Sequence, residues 1–140
     1  MKDLFELFDR VSSLETIQVP VQLLTFHNYD SLSAGISAAG SPLIAVINRN
    51  LLIRRFDISA YVATTNNGSN YWTFSLKKAD GTTITTLNTS AISANTWSLI
   101  SGTGLSASVT SSTIAVMVAV SKTGSPGNLN LSALVECIRN

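Results

Sequence analysis

Between residues 51 and 78 the chain twice alternates apolar and polar side chains with a period of two, the signature of a pleated strand with one dry and one wet face. In LLIRRFDISAYVA (51–63), Phe56, Ile58, Ala60 and Val62 fall on one face and Arg55, Asp57, Ser59 and Tyr61 on the other. In NYWTFSLKK (70–78), Trp72, Phe74 and Leu76 oppose Tyr71, Thr73, Ser75 and Lys77. Further strand-like runs are LIAVI (43–47), TTITTL (82–87), TWSLIS (96–101), TIAVMVAVS (113–121) and LNLSALVECI (129–138), which with the extended run around Pro20 make about eight strands in all. The run from Ile114 to Val120 is apolar on both faces, so it belongs in the middle of a sheet or under a second layer.

The punctuation agrees. Asp80-Gly81 between two such runs is a hairpin signal, and SKTGSPGN (121–128) reads as a Gly/Pro loop. The tract TTNNGSNYW (64–72) joins the two best-patterned strands, and its Asn66, Asn67 and Gly68 suit the positive φ of a tight turn. Short strands at this spacing predict an antiparallel β-sandwich, jelly-roll-like, built around one core.

The first 25 residues are organised differently. Leu4, Leu7, Phe8, Val11 and Leu14 recur at three- and four-residue spacing, and Asp3 with Glu6 has the spacing of a capping box, which predicts a short amphipathic helix. Alone in water such a helix is marginal, so its stripe must dock on its own sandwich or on a partner; two heptads are too few to favour a coiled coil. Residues 16–23 alternate around Pro20 as an extended arm or edge strand. The expected division is therefore a helix and arm over 1–25 and a sandwich over 26–140. Acidic residues interrupt the amino terminus where a signal peptide needs an apolar run, so synthesis in a cytoplasm without a signal peptide is expected.

Charge narrows the function. Nine basic and eight acidic residues leave a net charge of +1, with no basic stripe, so no nucleic-acid partner is expected. No stretch approaches the ~18 apolar residues that span a bilayer, so no membrane partner is expected either. Cys137, between Val135 and Ile138, reads as a small buried hydrophobe. His27, in the loop-like HNYD, has no second histidine or carboxylate cluster to complete a metal site. GTGLSA (102–107) matches a dinucleotide-loop pattern, but a turn and a strand follow it where a helix is required. The chain is not expected to be an enzyme, and no catalytic residue, cofactor or metal is assigned.

Two binding readings remain. Tyr61, Tyr71, Trp72 and Trp97, with Asn66, Asn67, Asn70 and Asn95, supply the parts of a carbohydrate site, as in the binding module of a phage tail or fibre. Trp72 shares its face with Phe74 and Leu76 and goes to the core, leaving Tyr61, Asn67, Asn70 and Tyr71 as candidate ligand contacts. Two tyrosines on adjacent strands are also a common cross-strand packing pair.

The other reading comes from organisation. A small sandwich with an amino-terminal helix and arm, few charges, 20 Ser, 15 Thr and 11 Asn, and no active site resembles the accessory virion proteins of tailed bacteriophages, above all capsid cement or decoration proteins. That resemblance implies a non-enzymatic protein on the capsid exterior, a symmetric oligomer and plausibly a trimer, which bridges and stabilises neighbouring shell subunits. Its expected contact surface is Leu4, Phe5, Leu7, Phe8, Val11 and Leu14.

Overall fold

A computed structural model describes residues 21–32, 43–113 and 115–139. They form nine strands: β1 (Val21–Leu32), β2 (Leu43–Val46), β3 (Leu51–Val62), β4 (Tyr71–Lys78), β5 (Thr83–Asn88), β6 (Trp97–Gly102), β7 (Ala107–Val109), β8 (Ala115–Thr123) and β9 (Leu129–Arg139). A single 3₁₀ turn, Ser111–Thr113, precedes β8. The predicted amino-terminal helix and its stripe, Leu4, Phe5, Leu7, Phe8, Val11 and Leu14, lie outside the described residues.

The strands make two antiparallel sheets, ordered β1-β9-β3-β6 and β2-β8-β4-β5, with β7 continuing the β6 side of β3. This is the jelly-roll-like sandwich that the alternation predicts. The apolar faces meet in one cluster that draws on both sheets, including Phe56, Ile58, Val62, Val135 and Leu129 from the first and Trp72, Phe74, Leu76, Val116 and Val118 from the second. Each large side chain removed from water there contributes about 1.5–3 kcal/mol. The doubly apolar run lies centrally as expected, with β8 between β2 and β4.

A bulge fixes the phase of β3. Ile53 pairs with Cys137 and Arg55 with Glu136, so Arg54 is an extra residue. Leu51 and Ile53 face inward before it, and Phe56, Ile58, Ala60 and Val62 after it. Without that extra residue, strict alternation would turn Arg55 into the core.

Two expectations are corrected, and one alternative is decided. His27 lies within β1, opposite Ser132 of β9, where a loop was expected. Residues 21–25 take the edge-strand alternative of the arm reading, pairing along β9 from Val21↔Ile138 to Thr25↔Leu134 at the outer side of the first sheet. Asn66, Asn67 and Gly68 do not take positive φ; among the described residues Asn95 is the non-glycine that does, at 59°.

Candidate functional site

The four candidate ligand residues separate in the fold. Tyr61 ends β3 in the first sheet and Tyr71 begins β4 in the second, so the tyrosines are neither cross-strand neighbours nor parts of one platform. Asn67 and Asn70 build the crossover between the sheets. The Asn67 side-chain oxygen accepts the backbone N–H groups of Ser69 at 2.9 Å and Asn70 at 3.1 Å, and the two asparagines exchange backbone hydrogen bonds. Asn70 Oδ1 accepts the Ser125 N–H at 2.8 Å, tying this crossover to the one that links β8 to β9.

Other bonds close the same joint. Buried Trp72 donates its indole N–H to the Gly127 carbonyl at 2.9 Å. Ala63 N–H reaches the Asn128 carbonyl at 2.9 Å. Fully buried Thr89 accepts the Trp72 N–H at 2.9 Å and the side-chain amide of buried Asn66. Gly124, at φ 63°, lies so close to Ser69 and Asn70 that a Cβ would fall on the Ser69 carbonyl. The polar tract is a structural joint: Asn67 and Asn70 turn their side-chain oxygens to backbone N–H groups and Asn66 its amide to Thr89, while buried Asn66 Oδ1 is left without a partner among the described residues.

The exposed chemistry lies on the flank formed by β6. Trp97 and Leu99 are 57% and 65% exposed, alternating with the half-buried Ser98 and Ile100. Tyr61, paired with Trp97 across β3 and β6, sets its ring 5.8 Å from the indole at a 49° tilt. Its hydroxyl donates to Asn95 Oδ1 at 3.1 Å, at the left-handed turn that leads into β6. Lower on this face, Arg55 and Asp57 form an ion pair at 2.8 Å, which raises the Arg55 pKa, and Arg55 also reaches the Ser101 hydroxyl at 3.4 Å. Sequence reasoning placed Trp97 among possible sugar contacts but missed Leu99. Ile100 makes β6 apolar on both faces, and a short strand of that kind does not reveal which face is wet.

Apart from that compensated pair on β3, the flank is uncharged. From Gly81 to Ser121 the chain holds no Asp, Glu, Lys, Arg or His, a run that includes β5, β6 and β7. Strands β5 and β6 are edges of opposite sheets, yet they approach each other: a Cβ on Gly102 would lie 3.4 Å from Leu87 Cδ2 and 3.7 Å from Thr85 Oγ1. Both edges therefore border one neutral wall.

Reactive groups are scarce among the described residues. No group of three or more His, Cys, Asp and Glu side chains stands where it could hold a metal ion. Cys137 is fully buried, and burial, with Glu136 adding to it, pushes its thiol up to about 11, so at neutral pH it is a packed thiol and a poor nucleophile. Asp80 borders a shallow depression with Ala79, Ser112 and Thr113, but its carboxylate is engaged by the Thr82 N–H.

No protein-family model and no curated sequence matches the chain. Solved structures do. A chain of the cyanophage Pam1 capsid asymmetric unit superposes with a TM-score of 0.52 at 17% identity, over 88% of this chain and 86% of that one. A chain from infectious bursal disease virus, Gx strain, gives 0.51 at 15% identity over 86% of this chain, which spans only 32% of that longer protein. The fold is thus a viral capsid-like β-sandwich.

Proposed function

We propose that the protein is a non-enzymatic structural component of a virion, of the capsid cement or decoration type, which bridges and stabilises neighbouring shell subunits. The observation that carries this reading is the extent of the Pam1 likeness: one sandwich accounts for nearly all of both chains, so the comparison concerns a whole shell-associated protein. The neutral flank fits a protein that works against neighbours. In this proposal the protein forms a trimer on the capsid exterior, and Leu4, Phe5, Leu7, Phe8, Val11 and Leu14 form its contact with the shell. Many weak contacts then act together at high effective concentration.

The test is co-sedimentation with assembled shells of a capsid-forming subunit, together with light scattering of the free protein. Stoichiometric binding that raises shell stability, and is lost on deleting residues 1–15 while the free protein keeps its melting temperature, is the expected result. A protein that stays monomeric and never sediments with shells ends the proposal.

A carbohydrate-binding module is the second reading, and the Tyr61–Trp97 ring pair beside the Asn95 amide favours it. Glycan-array binding that disappears in Trp97→Ala is its expected result; a blank array rejects it.

A further inference from the structure

We infer that the outer edge of β6 pairs with the same edge of a second copy of this chain, antiparallel across a two-fold axis that passes beside Leu99. The inference rests on the assembly reading only for the presence of neighbouring copies; the surface and its partner follow from β6 itself.

Strand β6 bonds to β3 along one side, in unbroken register from Phe56↔Gly102 to Tyr61↔Trp97. Among the described residues no strand pairs with its other side. Such edges are normally protected by charge, proline or a bulge. WSLISG has no charge and no proline, and its pairing with β3 shows no bulge.

The missing charge also selects the partner. When a surface meets its own copy, every charge near the axis faces a like charge, which penalises self-association. Strand β6 brings no charge of its own to the axis, and the nearby Arg55 is already compensated by Asp57 within its own chain, so that penalty is small. A strongly basic or acidic partner would find only that internally compensated pair beside the strand.

Register completes the argument. Directly opposite residues in an antiparallel pair share a face, so under two-fold symmetry the outward set Trp97, Leu99 and Ser101 must pair within itself. Centring on Leu99 sets it against Leu99 of the second copy and each Trp97 against Ser101. The two most exposed apolar residues of the strand then form one continuous cluster. Centring one residue later, on Ile100, would set Leu99 against Ser101 and split that cluster. A contact one short strand long is well below the roughly 1,000 Å² of a stable free dimer, so it acts in the assembled state or at high concentration.

Cysteine crosslinking of the full chain reads such a weak contact directly. Opposite residues lie about 4.5–5.5 Å apart between Cα atoms, within disulfide range, and the buried Cys137 does not compete. Mild oxidation of Leu99→Cys is expected to give covalent dimer at least ten times faster than Ser108→Cys, an exposed control on β7. Adding Trp97→Asp to Leu99→Cys should return the rate to the control level. Because a change at Leu99 could disturb the edge, a second measurement mixes Trp97→Cys with Ser101→Cys chains, and mixed dimers should exceed either self-dimer. Equal rates for Leu99→Cys and Ser108→Cys, or no excess of mixed dimer, overturns the inference. Loss of crosslinking with shell binding retained sinks this inference alone, whereas crosslinking without shell binding sinks only the virion proposal.

Discussion

At the joint between the sheets, polar residues do structural work, whereas on the β6 flank apolar residues face water. Asn66, Asn67, Asn70 and Thr89 use their side chains on the protein's own backbone and on one another, around the buried indole of Trp72. On the flank, the second tryptophan of the chain stands more than half exposed beside Leu99. Residue type does not separate the two regions. What separates them is whether an aromatic or apolar group has a sheet above it.

The sharpest way to break the comparison is to truncate both tryptophans. Trp72→Ala removes a buried ring and strands the Gly127 carbonyl, so denaturant unfolding should show a loss of about 3–5 kcal/mol. Trp97→Ala gives up mainly the Tyr61 ring contact and should cost less than about 1 kcal/mol in the free protein. Equal losses would mean that the flank belongs to the fold as much as the joint does.

Glycines give a smaller contrast of the same kind. Gly104 and Gly124 both take positive φ, at 70° and 63°. Around Gly104 there is open space, so Gly104→Ala should cost only the backbone strain of about 1 kcal/mol. Gly124→Ala adds a clash with Ser69 and Asn70 and should cost about 2–4 kcal/mol, measured as a shift in denaturation midpoint at unchanged slope.

How far these regions could be read in advance follows from their physics. The faces of β3 and β4 were legible because Phe56, Ile58, Ala60 and Val62, and Trp72, Phe74 and Leu76, alternate without ambiguity. The Asp80-Gly81 hairpin was legible because its turn chemistry is local: Gly81 sits at φ 88° between paired β4 and β5. Whether consecutive strands pair or cross between layers is not local. Residues 63–70 are long enough for either, so Tyr61 and Tyr71 read as neighbours when they stand in different sheets. The partners of Asn70 and Trp72, Ser125 and Gly127, are some 55 positions away, and no short-range pattern announces them.

The smallest expected effect lies at the hairpin that opens the uncharged run. Asp80 Oδ1 accepts the Thr82 N–H at 2.8 Å, and that bond holds its carboxyl below the usual range. A depressed pKa in the folded state means stability that is present above the unfolded value, about 3.9, and is lost as pH falls through the folded one. The loss should be local, because Lys78, Gly81 and Thr82 close the turn at one end of β4 while Trp72 anchors the other. On acidification below about pH 4, the β5 amides should therefore lose exchange protection, relative to their intrinsic rates at each pH, before the joint opens. Asp80→Asn keeps an acceptor but cannot titrate, so its β5 amides should keep the same protection factors on both sides of that pH. If the variant shows the same acid sensitivity as the parent, the hairpin is not held by Asp80, and β5 is secured instead by its packing against the β6 flank.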